Sequence, residues 1–169
     1  MTGQEIYTPH LPETLAPDSR VWIYQSDRPL TDSECRSIQS RLDHYVSDWK
    51  AHGKTIEGFA SVFFNRFILI LANETLHQVS GCSIDNSVRM LKEIEQELSI
   101  TLFDRQLLCF WKEDQIKTIQ LSDIEKAVQQ GEISADSYYF NNTILAKREF
   151  EENWIIPMRD SWLSRYLPS

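Results

Sequence analysis

Glycine is scarce in this chain, with five in 169 residues. No G-x-G-x-x-G occurs among them, which argues against a dinucleotide site, where glycines let the backbone approach a pyrophosphate. Gly53 and Gly58 have the outer spacing of a P-loop, but Phe59-Ala60 follows where Lys-Ser/Thr is required. The lysine that reaches phosphates and the hydroxyl that holds magnesium are missing, so the chain does not read as a P-loop ATPase. G-x-S-x-G and H-E-x-x-H are absent too.

Cysteine is equally sparse. Cys35, Cys82 and Cys109 are an odd number without a C-x-x-C pair, which is neither a disulfide framework nor a zinc motif and suits a reducing compartment. Positive charge is short: 17 Lys and Arg against 25 Asp and Glu leave a formal net charge of −8. Such a field repels phosphate backbones and anionic lipid surfaces, so neither nucleic acid nor membrane is expected as a partner. The longest apolar run, Phe67 to Ala72, falls far below the roughly 20 residues that span a bilayer. The N-terminal residues lack the basic flank and apolar stretch of a signal peptide. A cytoplasmic location is expected.

What is present is an ordinary globular composition, 41% hydrophobic and 25% charged. Residues 1–19 read as an extended, proline-bearing arm, followed by a single α+β domain over 20–169. Arg20 to Gln25 is dense in β-branched and aromatic residues and predicts a strand. Thr31-Asp32-Ser33-Glu34 is a capping box. Ile38, Leu42, Tyr45, Val46 and Trp49 then recur at helical spacing, and Gly53 is placed to end that helix. Strands are predicted over Phe59–Phe64 and Phe67–Ala72, turning at Asn65-Arg66.

Ser83 offers the cap of a second helix whose apolar stripe is Ile84, Val88, Leu91, Ile94 and Leu98, with Glu93, Glu95 and Glu97 as solvated side chains. Arg105–Trp111 and Ile116–Leu121 follow as strands around a Lys112–Gln115 turn, then a capped helix from Ser122 to Gly131. A last strand is expected within Ser137–Ile144. The order β-α-β-β-α-β over 20–112 matches the ferredoxin-like split βαβ plan, with 113–169 as a β-α extension. In that plan one sheet face is left for the extension, a partner chain or a ligand to cover.

Two constellations merit chemical scrutiny. Ser80-Gly81-Cys82-Ser83 leads into a helix N-terminus, where exposed amides and the dipole favour an anion and lower a thiol pKa. Cys82 with His77 as base is chemically conceivable, and Asp85 lies close by; the plainer reading is a serine-capped helix beside a packed cysteine. Arg66, beside Asn65 on the hairpin turn, would supply the cation for a small anionic ligand at that helix start. The second constellation, His44, Asp48 and His52, has metal-ligand spacing, but it lies off the apolar stripe and reads as a wet polar flank, so no metal is assigned. No cofactor is implied.

Ser19-Arg20-Val21-Trp22-Ile23-Tyr24-Gln25-Ser26, Ala51-His52-Gly53, Asn65-Arg66-Phe67, Ser80–Asp85, Phe140-Asn141-Asn142 and Asp160-Ser161-Trp162 resemble a small family of uncharacterised bacterial proteins. The likeness runs from Ser19 to Trp162. Members are sometimes labelled ABC-transporter ATPases, a label that the missing P-loop contradicts here. The resemblance implies a bacterial cytoplasmic protein and transfers no activity. The expectation is a non-enzymatic binding or interaction module that self-associates through the open sheet face or the aromatic C-terminal extension. The alternative is a small-anion binder or thiol-dependent enzyme at Ser80–Asp85.

Overall fold

Within residues 1–19, expected as an extended arm, Gly3–Ile6 form a helical turn (α1) and Leu11 and Leu15 are buried. These apolar side chains give the segment surface worth removing from water. The computed structural model describes residues 3–7, 9–51, 56–75 and 78–169. It divides into two compact units: His10–Asp104 with Leu145–Arg148, and Met1–Pro9 with Arg105–Ile144 and Glu149–Ser169.

The first unit is a three-stranded antiparallel sheet with two helices. Its strands are β1 (Arg20–Gln25), β2 (Glu57–Phe63) and β3 (Phe67–Asn73), in the order β1-β3-β2. The helix α2 spans Asp32–Ala51, and α3 spans Gly81–Leu98. The capping box of α2 forms as its sequence predicts: Glu34 N–H donates to Thr31 Oγ1 at 3.1 Å, and Thr31 N–H donates to Glu34 Oε2 at 2.9 Å. Gly53, placed to end α2, lies outside the described residues. Ile38, Leu42, Val46 and Trp49 of α2 and Leu91 and Ile94 of α3 pack with Ala60, Ile68, Ile70 and Ala72 of the sheet in one core.

Two local expectations shift. The β2–β3 turn centres on Phe64 and Asn65, both at positive φ (53° and 51°), with Arg66 N–H closing it on Phe63 O at 3.0 Å. That is the primed geometry matching the right-handed twist of a hairpin, with Arg66 one place beyond its centre. The cap of α3 is Ser80 rather than Ser83: Ser80 is extended, and its Oγ accepts from Ser83 N–H at 3.1 Å.

The second unit holds a four-stranded antiparallel sheet. Its strands are β4 (Leu107–Lys112), β5 (Gln115–Gln120), β6 (Tyr138–Phe140) and β7 (Ile155–Pro157), in the order β5-β4-β6-β7. Glu113 and Asp114 both adopt positive φ (51° and 59°) in the β4–β5 turn. The helix α4 (Ile124–Gln129) follows a 3-10 turn, Leu121–Asp123, and its N-cap Asp123 makes no side-chain cap bond, so the second capping box does not form. Gly131 ends the segment at φ 70°, where L residues are strained. The helix α5 (Lys147–Asn153) precedes β7, and the boundary between units falls inside it. Phe110, Ile119, Ile124, Tyr139, Met158 and Leu163 form the core of this unit.

The chain is therefore α+β, but the ferredoxin-like strand order is not realised. Its fourth strand should lie beside β1. Instead β4 is hydrogen-bonded on one edge by β5 and on the other by β6, which leaves it no edge for β1. The vacant edge of β1 is taken by Leu145–Lys147: Val21 N–H donates to Leu145 O at 3.0 Å and Lys147 N–H to Ser19 O at 2.8 Å. Phe67, Leu69 and Leu71, which alternate with the helix-facing Ile68, Ile70 and Ala72, are 0% exposed.

Candidate functional site

The two helices of the first unit run antiparallel over the sheet. The segment before α2 meets the end of α3, where Arg28 donates to Leu98 O at 2.8 Å; further along α2, the Tyr45 hydroxyl donates to Ser83 O, in the first turn of α3, at 2.6 Å. Between them lies a groove of about 550 Å³. Its α2 wall is Arg41, His44, Tyr45 and Asp48, at the three- and four-residue spacing that places side chains on one helical face. Its α3 wall is Met90, Glu93 and Glu97, spaced the same way.

Among the described residues, three carboxylates and one guanidinium line this groove. Arg41 and Glu97 pair across it, and that bond holds the Glu97 carboxyl below its ordinary value and the Arg41 guanidinium above its own. Asp48 and Glu93 are then the charge in excess. His44 Nε2 stands 4.0 Å from Asp48 Oδ2, with side chains 83% and 60% exposed, on the solvated flank of α2. Their third sequence companion, His52, lies outside the described residues. Among the described residues no three His, Cys, Asp or Glu side chains converge to hold a metal ion. Burial pushes the Tyr45 hydroxyl above its ordinary value, so it stays protonated and keeps its bond to Ser83.

The residues predicted for an anion or thiol site divide into two groups. Ser80, Gly81, Cys82, Ser83 and Asp85 occupy the cap and first turn of α3, with Ser80, Gly81, Cys82 and Asp85 exposed. His77 lies outside the described residues. Asn65 and Arg66 occupy the hairpin turn at the other end of the sheet: Ser26 N–H donates to Arg66 O, and the neighbouring Asp27 and Arg28 bond Thr101 and Leu98 at the end of α3. With its 18 residues, α3 separates its two ends by about 27 Å at 1.5 Å per residue. Asn65 and Arg66 therefore do not meet Cys82. Arg66 is also unsuited to a ligand in solution, being 5% exposed and donating to Ser26 O at 3.1 Å. Without it, the nearest charged side chain of the predicted set on the α3 start is Asp85, of the wrong sign for an anion.

Both walls of the groove carry a signal in the sequence, but their meeting does not. His44 and Asp48 stand out by metal-like spacing, and Glu93 and Glu97 as a polar flank. Only the antiparallel placement of α2 and α3 joins these faces. Fold and site together define an α+β protein with an acidic interhelical groove. Comparison with protein-family models, with curated proteins and with solved structures finds no match to this chain. Among the described residues, no helix is long and apolar enough to cross a membrane.

Proposed function

We propose that the protein is a non-enzymatic binding module, and that the α2–α3 groove takes a cationic segment of a partner polypeptide. The observation that carries this reading is the charge of the groove, where, among the described residues, Asp48 and Glu93 exceed the one guanidinium, already engaged by Glu97. Tyr45 and Met90 add partly buried apolar area, which suits the stems of lysine or arginine side chains. A cytoplasmic location accords with cysteines that form no disulfide.

The test is titration of the isotope-labelled protein with a lysine-rich peptide and with its glutamate-rich counterpart. Saturable shifts of Asp48, Met90 and Glu93 resonances by the basic peptide alone, weakened by salt, are expected. Asp48→Asn with Glu93→Gln should remove most of that response while leaving the fold intact. Equal response to both peptides, or shifts centred on Ser80–Asp85 instead, would overturn the reading.

A further inference from the structure

The outer edge of β2 is closed by a side chain. Phe59, Ser61 and Phe63 alternate with Gly58, Ala60 and Val62 along the strand, and the second set turns its backbone groups away from β3. An edge strand exposes such a row of N–H and C=O groups, ready to pair with another chain. Here the row meets Gln39 of α2. Gln39 Nε2 donates to Ala60 O at 3.0 Å, and Gln39 Oε1 accepts from Val62 N–H at 3.2 Å. One primary amide thus makes the pair of bonds that a residue of a neighbouring strand would make. Its orientation is fixed by Asp43, one helical turn on, whose Oδ1 accepts the other Nε2 hydrogen at 2.9 Å. A flipped amide would set two oxygens against each other at Asp43 and at Ala60, and two donors at Val62.

We propose that β2 is a self-pairing edge of this chain and that the Gln39 amide, positioned by Asp43, keeps it shut. The occupant excluded is a second copy. The strand reads Glu57-Gly58-Phe59-Ala60-Ser61-Val62-Phe63, with one charge, at its start. Antiparallel pairing about Ala60 sets Gly58 against the second copy's Val62, so all outward groups find partners. Glu57 then faces the second copy's Phe63, and no like charges are opposed. Beyond Glu57 the stretch is uncharged, with two phenylalanines and a valine, and such a segment associates readily once its edge is open.

The experiment is sedimentation velocity of the full chain over a hundredfold concentration range, with amide hydrogen exchange, for the wild type, Gln39→Ala and Asp43→Ala. Gln39→Ala should self-associate beyond the wild type, with its Val62 amide exchanging faster when dilute and protected again when concentrated. Asp43→Ala, a change on an exposed helical position, should shift association the same way by a smaller factor, and it carries the test if Gln39→Ala fails to fold. Wild-type behaviour by both variants would overturn the proposal. So would association that leaves the Val62 amide unprotected, because the contact would then lie elsewhere.

Discussion

Arg28 holds Glu34 in a fork of two N–H···O bonds, each 2.9 Å long, and the same guanidinium reaches the Leu98 carbonyl at 2.8 Å. One side chain thereby joins the carboxylate of the α2 capping box to the last turn of α3. Charge-assisted, two-pronged bonds of this geometry are the strong ones among polar contacts, and here they tie the start of α2 to the end of α3 through Arg28 and Leu98, 70 residues apart in sequence.

Acid sensitivity follows from that fork. The Arg28 bonds, then the Thr31 N–H, pull the Glu34 carboxyl from 4.5 down to about 2. A carboxyl whose folded pKa is depressed favours the folded state above its unfolded value. Its contribution is complete above about pH 4.5 and is lost as pH falls toward 2. Glu34→Gln should therefore be less stable than the wild type at neutral pH, and the gap should narrow below pH 4.5. Denaturant unfolding at stepped pH measures it; a gap constant across that window would show that the fork contributes nothing.

Glycine has a distinct role at Gly58. A Cβ there would stand 2.5 Å from Trp49 Cε3 and 2.7 Å from Cζ3, so β2 approaches α2 more closely than any side chain allows. Gly58→Ala should destabilise the protein by about 1–3 kcal/mol, as overpacking does, and alter the tryptophan emission. Gly81→Ala is the control, since its Cβ meets nothing within 4 Å. Removing backbone freedom from the first turn of α3 should raise stability by about 0.5 kcal/mol. Equal effects at the two positions would contradict the packing account.

Local structure was legible in the sequence wherever it depends on neighbours in the chain. The Thr31–Glu34 box and the Ile38–Trp49 stripe are written within a few residues, and α2 forms over Asp32–Ala51 accordingly. The strand order was not legible, because β4 is composed like a strand of either sheet and only its pairing with β5 and β6 decides. The short β7 was hidden for a related reason: Ile155–Pro157 is three residues long and ends in proline, which an edge strand tolerates. The groove and the Gln39 clip combine residues of elements distant in sequence, and no local pattern marks Gln39 as facing a strand. Arg66 looked like a ligand-binding cation on a turn, yet the turn sits one residue earlier and burial claims the side chain.

The cysteines should separate by accessibility. Cys82 is exposed, Cys35 half-buried and Cys109 buried, and burial is the first of the causes that raise the Cys35 thiol above its ordinary value. Alkylation of the native protein should label Cys82 first and Cys35 more slowly, with Cys109 reacting only on unfolding. Peptide mapping of a timed iodoacetamide reaction gives the order. If Cys82 reacts no faster than Cys35, a thiol mechanism at the α3 start loses its footing.

In the second unit, Trp162 Nε1 donates to the Tyr139 hydroxyl at 3.2 Å, and Tyr139 is 4% exposed. Burial pushes this hydroxyl from 10.0 up to about 12. A phenol whose folded pKa is raised keeps its proton after the unfolded chain has lost its own. Its contribution to stability is complete below pH 10.0 and is lost as pH rises toward about 12. Tyr139→Phe removes that dependence and leaves the partly buried indole N–H without its acceptor, at a cost of about 1 kcal/mol near neutrality. The wild type should thus exceed Tyr139→Phe in stability at neutral pH, with the margin shrinking between pH 10.0 and about 12. Chemical unfolding across this alkaline range, with tyrosinate absorbance followed in parallel, measures both. A margin that stays flat while Tyr139 ionises with the exposed tyrosines would mean that the hydroxyl is solvated and the Trp162 bond carries no stability.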